Sequence, residues 1–299
     1  MRPNAGQTPE GAVDPAIFTR RTVTMMHIAL GLHNKNNYFI HTLTCVHSIL
    51  TNTRERVHIH VLHDRTLNSD CRAHFKKLAA HFRAEMDFFD MSDSVAPYLG
   101  NDMKSFSIAM LFRIFIPELM PDDDILYIDS DVCCNMDIAR LFREVRAAPD
   151  ASIHVVRDEA ICLADFATHV LSLGIDPRNY FNSGVIVFNT RCLNARCSDF
   201  SERMASLLRE TARNFPDQDA LNIYFLLEKK EQREVHYLDN VYNFNISIKK
   251  RHMLKPDRLS TFIVHYGYHK PWEKIFPAAL LYWKYREELF RILATADAS

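Results

Sequence analysis

The stretch Ile125-Leu126-Tyr127-Ile128-Asp129-Ser130-Asp131-Val132 is an apolar run that ends on two carboxylates one residue apart. Four apolar residues in succession predict a strand buried on both faces. Such strands belong to mostly parallel sheets, whose ligand sites form beyond the carboxyl ends of the strands. In an extended chain residues i and i+2 point the same way with Cα atoms about 7 Å apart, so Asp129 and Asp131 can close on one divalent ion. Without a cation, two such carboxylates would repel each other. The pair reads as a metal clasp, set where α/β enzymes keep their chemistry.

Outward from this strand the pattern alternates. Residues 26–32 form an apolar run followed by a polar loop, and Ile40, Leu43, Val46, Ile49 and Leu50 then repeat at helical spacing up to Asn52. Val57, Ile59 and Val61 alternate with His58 and His60, and Cys71, Phe75, Leu78 and Phe82 fall on one helical stripe before a strand over 85–89. Ile108, Leu111, Phe112 and Phe115 predict a helix ended near Pro117, and an acidic turn at 122–124 leads into the clasp strand. Further strands are expected over 153–156, 184–188, 234–238 and 261–266, and helices over 164–173, 196–211, 219–227 and from about Ala278. This order predicts an α/β, doubly wound, mostly parallel sheet. No internal repeat, low-complexity tract or clear linker divides the chain. One domain over residues 21–270 is expected, with a flexible tail over 1–20 and a helical extension over 271–299.

The 299 residues are 47% hydrophobic and 24% charged, an ordinary globular balance that allows a sizeable core. A formal charge of −1 gives no general attraction to nucleic acid, so anion recognition must be local. No stretch approaches the ~18 consecutive apolar residues of a membrane span, and the Pro-, Gly- and Ala-rich start lacks a signal-peptide core, which predicts a cytoplasmic protein. Seven cysteines without a C-x-x-C pair predict reduced structural thiols, with Cys133 and Cys134 on opposite faces of an extended segment. Only seven glycines occur, in no G-x-G-x-x-G or G-x-x-x-x-G-K pattern, so any phosphate must be held by a metal rather than a glycine loop.

Three further polar clusters abut apolar segments: Tyr180-Phe181-Asn182-Ser183-Gly184-Val185, Asp217-Gln218-Asp219-Ala220-Leu221-Asn222 and Val264-His265-Tyr266-Gly267-Tyr268-His269-Lys270-Pro271-Trp272. With the clasp, and in this order, they resemble the family 8 glycosyltransferases from about His27 to Tyr285. The resemblance implies a GT-A fold and a retaining, metal-dependent transfer of a hexose from a nucleotide-sugar donor, usually a UDP-sugar. It implies Asp129, Asp131 and His265 as ligands of Mn2+ or Mg2+. Two carboxylates, an imidazole and diphosphate oxygens make a mixed set that suits Mn2+ better than Mg2+. Gly267 would let the backbone approach a phosphate, and Lys270 would offer a charged donor to the diphosphate as negative charge develops on it. Arg113 matches an arginine that contacts donor phosphate or sugar, and Ser130 falls within the donor-binding turn. Asp158, Asn182 and Asp217 match residues that hydrogen-bond the hexose hydroxyls, and Gln218 matches the side chain nearest the anomeric carbon. Gln218, Asp158 and Lys270 are thus the expected catalytic groups.

Read alone, these residues have plainer roles: Arg113 a solvated helix-face arginine, His265 a hydrogen-bonded strand-end histidine, Asp158, Asn182 or Asp217 a cap. An amide is a weak nucleophile. The preferred route is therefore front-face, with the leaving phosphate accepting the proton of the incoming hydroxyl; a short-lived covalent adduct is the alternative. Asn37-Tyr38 matches the family pair that touches ribose and base, but the acidic residue usual two positions before Asn37 is Lys35 here. The base would be read by the Asn34 or Asn36 amide, or by backbone groups and stacking.

Members similar in length and around Trp272 and Trp283-Lys284-Tyr285 act on bacterial lipopolysaccharide core. This implies galactose or glucose transfer to a glycan or glycolipid acceptor, with peripheral contact at the inner membrane surface. Lys249, Lys250, Arg251, Lys255 and Arg258, opposed only by Asp257, read as a solvated loop or as a contact for an anionic acceptor or headgroup. Packing of the last helix accounts for most of the stripe Trp272, Phe276, Leu280, Tyr282, Trp283 and Phe290, although Trp and Tyr beside basic residues also suit a membrane interface. His58, His60 and His63 are not expected to bind metal, because no carboxylate or cysteine at ligand spacing accompanies them. Two rivals remain. Phosphatases of the haloacid dehalogenase class also begin with a strand ending D-x-D, but they want Thr or Val at Cys133, the motif near the domain's start, and a later Lys and paired Asp in a glycine-containing loop. A catalytically silent binding fold would not need the full set Asp129, Asp131, His265, Lys270 and Gln218.

Overall fold

The computed structural model describes residues 25–98, 107–121, 123–211, 215–229 and 234–295; the tail expected over 1–20 and Asp122 of the expected turn lie outside them. The chain opens with β1 (Met26–Leu32), α1 (Phe39–Asn52), β2 (Val57–His63), α2 (Ser69–Phe82), β3 (Glu85–Asp90) and the short α3 (Ser92–Val95). A 3-10 helix, Ile108–Phe115, then runs directly into α4 (Ile116–Leu119). Pro117 does not end the helical segment as expected but sits in the first turn of α4, where no intrahelical N–H is needed. Next come β4 (Asp124–Ile128), β5 (Val132–Cys134), α5 (Ala139–Ala147), β6 (Ile153–Arg157), α6 (Ala164–Ser172) and β7 (Phe181–Asn189). The helix expected over 196–211 is α8 (Phe200–Glu210), preceded by a short α7 (Thr190–Arg196) that was not expected. The chain closes with α9 (Pro216–Ile223), β8 (Val235–Tyr237), β9 (Phe244–Asn245), β10 (Ile263–His265) and α10 (Ala279–Ala294).

Seven strands form one sheet in the order β3-β2-β1-β4-β7-β6-β8. It is mostly parallel, as predicted, with β7 running against both β4 and β6. A second, small sheet, β5-β10-β9, was not foreseen: β10 falls in the strand expected over 261–266, but β5 and β9, of three and two residues, carry no readable period. Alternate residues of the long strands feed two cores. Ile28, Leu30, Ile59, Val61, Leu126 and Ile128 pack with α1, α2 and α5, whereas Ala29, Leu62, Ile125, Tyr127 and Phe188 face the side of α8 and α9. Leu126 and Ile128 are fully buried, each contributing roughly 1.5–3 kcal/mol on a transfer basis. Cys133 and Cys134 face different clusters, as alternation requires, and all seven cysteines are free thiols.

The small sheet is what brings the C-terminal segment to the clasp. In the antiparallel pairing of β10 with β5, His265 lies opposite Val132. Helix α10 then docks on α1: the Tyr285 hydroxyl donates to Asn135 (2.6 Å) and accepts from Asn52 (2.8 Å), and the Tyr282 hydroxyl bonds His41 (2.6 Å). Trp283 Nε1 donates to the Pro271 carbonyl at 3.0 Å. The aromatic stripe is therefore largely internal packing.

Candidate active site

Strand β4 stops at Ile128, and Asp129-Ser130-Asp131 make the turn that carries the chain from the large sheet to β5. The carboxylates are thus not successive residues of one extended strand, as expected, because each is anchored elsewhere. The Asp129 N–H donates to the Gly184 carbonyl of β7 (2.8 Å), while the Asp131 carbonyl accepts from the Tyr266 N–H (3.0 Å). The pair still converges: one donor atom from each of Asp129, Asp131 and His265 lies within 4.8 Å of the others. Gly184 makes that possible. A Cβ there would stand 2.4 Å from His265 Cε1 and 2.9 Å from Asp129 Oδ2, so any side chain would push the ligands apart.

The charges around the clasp are paired. Arg113, only 3% exposed, donates to Asp129 Oδ1 (2.9 Å) and to the Ser183 carbonyl (2.5 Å), and lies 3.3 Å from Asp217. This excludes the reading of Arg113 as a solvated surface residue. Burial works against its charge, but Asp129, Tyr127 and Asp217 hold its pKa above the ordinary value. The Tyr127 hydroxyl donates to Asp129 Oδ1 at 2.8 Å. Asp131 is paired with Lys270 and lies 3.4 Å from His265 Nε2. Burial alone would raise the Asp131 carboxyl; Lys270, and after it His265, hold it well below the carboxylate range. His265 moves the other way, its pKa raised because Asp131 outweighs the effect of burial. Burial raises the Asp217 carboxyl, against the pull of Arg113.

A chain of amides fixes the ligands. His265 Nδ1 donates to Asn243 Oδ1 at 2.9 Å, which turns Nε2 toward Asp131. Asn243 donates to Asn182 (2.8 Å), and both Asn182 (3.0 Å) and Gln218 (3.1 Å) donate to Asp158 Oδ2. Gln218 Oε1 accepts from the Ser183 N–H at 3.0 Å. The residues expected to touch the sugar, Asp158, Asn182 and Gln218, are thereby one connected group, with Asp217 joined to it through the Ser183 hydroxyl (3.3 Å). Asn243 was missed in the sequence. Its signal was slight, a polar residue between buried Tyr242 and Phe244.

A family model described as glycosyl transferase family 8 matches residues 27–276. The chain belongs to that family. It is 29% identical over 189 residues to a lipopolysaccharide 1,2-glucosyltransferase of Escherichia coli K12, covering 59% of this chain and 53% of the relative. It is 26% identical over 256 residues to a lipopolysaccharide 1,3-galactosyltransferase of Salmonella typhimurium LT2, covering 82% and 72%. The chain thus spans about half the length of the first relative and under three quarters of the second. Among solved structures, galactosyltransferase LgtC in complex with donor and acceptor sugar analogs superposes with a TM-score of 0.68 at 21% identity, over 91% of this chain and 98% of that one. At that identity the likeness is one of fold, and the fold is GT-A. Family membership sets aside the phosphatase reading of the D-x-D motif.

The loop expected to meet the donor, residues 34–38, has an irregular backbone. Asn36 and Asn37 adopt left-handed φ of 57° and 59°, which Asn tolerates better than most residues. Asn34 is occupied structurally, its Oδ1 accepting the Phe39 N–H (3.1 Å) and its amide donating to Cys71 Sγ (3.6 Å). Of the two amides expected to read the base, Asn36 is therefore the exposed one. Tyr38 meets Trp272 edge-on at 5.6 Å, and Trp272 stacks on His41 at 3.7 Å. The Ser130 hydroxyl donates to the Gly31 carbonyl (3.2 Å) and accepts from Thr42 (2.9 Å), so its side chain holds the turn to β1 and α1. Gly267 adjoins the site: a Cβ built there would lie 3.7 Å from Asn245 Nδ2 and 3.8 Å from His265 Nε2, which are only ordinary contacts. The basic cluster is opposed by more than Asp257: Arg251 pairs with Glu159 and lies over the Phe244 ring at 4.0 Å, while Lys249, Lys250, Lys255 and Arg258 stay exposed.

Proposed function

We propose that this chain is a retaining, metal-dependent hexosyltransferase that moves galactose or glucose from a UDP-sugar to a hydroxyl of lipopolysaccharide core or a related glycolipid. The observation that carries this reading is the meeting of Asp129, Asp131 and His265 beside Lys270, past the carboxyl ends of β1 and β4. The donor set fits Mn2+ or Mg2+, with His265 held by Asn243 so that one nitrogen faces the carboxylates. An ion held there supplies positive charge to the diphosphate oxygens of the donor. Lys270 can share its ammonium between Asp131 and the departing diphosphate, adding a charge-assisted hydrogen bond where negative charge develops. Arg113 keeps Asp129 oriented from behind. In this reading Asn182, Asp158 and Asp217 orient the hexose, and Asn37, Tyr38 and Gly267 hold the nucleotide. Both ends of the Gln218 amide are engaged, by the Ser183 N–H and by Asp158. That favours an orienting role for Gln218 and the front-face route over attack by the amide.

The acceptor assignment is supported by the names of the relatives, which are lipopolysaccharide glucosyl- and galactosyltransferases. No helix among the described residues is long and apolar enough to cross a membrane. A cytoplasmic enzyme touching the inner membrane surface through Lys249, Lys250, Lys255 and Arg258 fits a lipid-linked acceptor. The deciding experiment is a thermal-shift panel of UDP-, GDP-, ADP- and dTDP-sugars with Mn2+ or with EDTA. The UDP-sugar should give the largest rise, and only with metal. Equal rises in chelator would refute the site.

A further inference from the structure

On the face of the large sheet that carries Ala29 and Leu62, but at the start of the strands, β1 and β2 bring three histidines together. In the parallel register His27 lies opposite His58, and His60 lies opposite Asp87 of β3. Period-two alternation sets His58 and His60 on one side. One ring nitrogen from each of His27, His58 and His60 lies within 4.8 Å of the others. His27 Nδ1 and His60 Nε2 stand 3.0 Å apart, and His58 Nε2 is 2.7 Å from Asp87 Oδ2. His60 is 4% exposed, and its Nδ1 has no hydrogen-bond partner; the nearest carboxylate oxygen, of Asp87, is 4.0 Å away. A buried nitrogen left without a partner destabilises the fold. Burial disfavours the charged form of both His27 and His60.

We propose that His27, His58 and His60, with Asp87 as the fourth donor, form a Zn2+ site separate from the transferase site. Three imidazoles and one carboxylate match the tetrahedral N/O ligation of zinc, whereas Mn2+ and Mg2+ favour oxygen-rich sets. The ion would tie β1, β2 and β3 together and give the buried His60 nitrogen a partner. With Asp87 55% exposed, it can enter from solvent. Local spacing had argued against metal at His58 and His60. The proposal departs from that expectation, because the further donors come from the two neighbouring strands.

The test uses the full-length protein, stripped of metal and titrated with Zn2+ against a chromophoric chelator, beside His58→Gln and Asp87→Asn. Wild type should bind one more Zn2+ than His58→Gln, and Asp87→Asn should hold that ion about tenfold or more weakly. Both variants should keep the wild-type thermal response to Mn2+ and UDP-sugar, which separates this site from the clasp. Equal Zn2+ stoichiometry and affinity in all three proteins would overturn the proposal. Should His58→Gln fail to fold, Asp87→Asn decides by the same affinity criterion, since its side chain faces solvent.

Discussion

The two ends of the same parallel strands hold two clusters of opposite character. Beyond the carboxyl ends of β1 and β4, half-buried Asp129 and buried Asp131 are paired, with Arg113 on one and Lys270 and the His265 imidazole beside the other. At the start of β1 and β2 the cluster is three imidazoles, His27 and His58 half-buried and His60 buried with its Nδ1 unpartnered. The first end suits a hard ion carrying phosphate oxygens; the second suits a borderline ion held by nitrogen. One sheet can present both because alternation and register, rather than local sequence, decide which side chains share a face.

The largest effect that would break this contrast is expected from Asp131→Asn. It should lower kcat/KM with UDP-sugar roughly 10³-fold and abolish the Mn2+-dependent thermal shift, a loss typical of removing a principal electrostatic stabiliser. Asn243→Ala tests the orienting of His265. It should weaken Mn2+ binding about 10- to 100-fold, read by titration, while leaving Zn2+ uptake at the histidine cluster unchanged. Gly184→Ala should force His265 and Asp129 apart, lowering stability by about 1–3 kcal/mol in urea unfolding and weakening Mn2+ binding together. A pH slope tests the rest of the fold. Burial lowers the pKa of His47 to about 4 and of His154 to about 3, so the folded chain keeps them neutral while the unfolded chain protonates them near 6.5. Stability is fully present above about pH 6.5 and should fall as pH drops toward those values, by up to about 1.4 kcal/mol per group per pH unit. Melting temperatures from pH 7.5 to 4.5 would check it, and His154→Phe should flatten the slope.

Much of the clasp was legible because strong local signals carry it. Asp129 and Asp131 close an unbroken apolar run, and Asn182, Gln218 and His265 each stand in a polar cluster beside an apolar strand or helix. Asn243 was not legible, because its role depends on β10 running beside β9 and presenting His265 Nδ1 to it. The capping role of Asn34 was equally hidden, since an amide that caps a helix and one that could read a base look alike in sequence.

The periodicity of residues along the chain determined the parallel core, since burial of period-two and helical stripes is dictated residue by residue, and the ordered polar motifs carried the family pattern and the candidate clasp. Only the tertiary structure decided that Gly184 is required by convergence of the ligands, that Asp129 and Asp131 lie on a turn between two sheets, and that His27 joins His58 and His60. Each of these depends on segments far apart in sequence being brought into contact by sheet register, and register is set by packing of the whole face rather than by any local run.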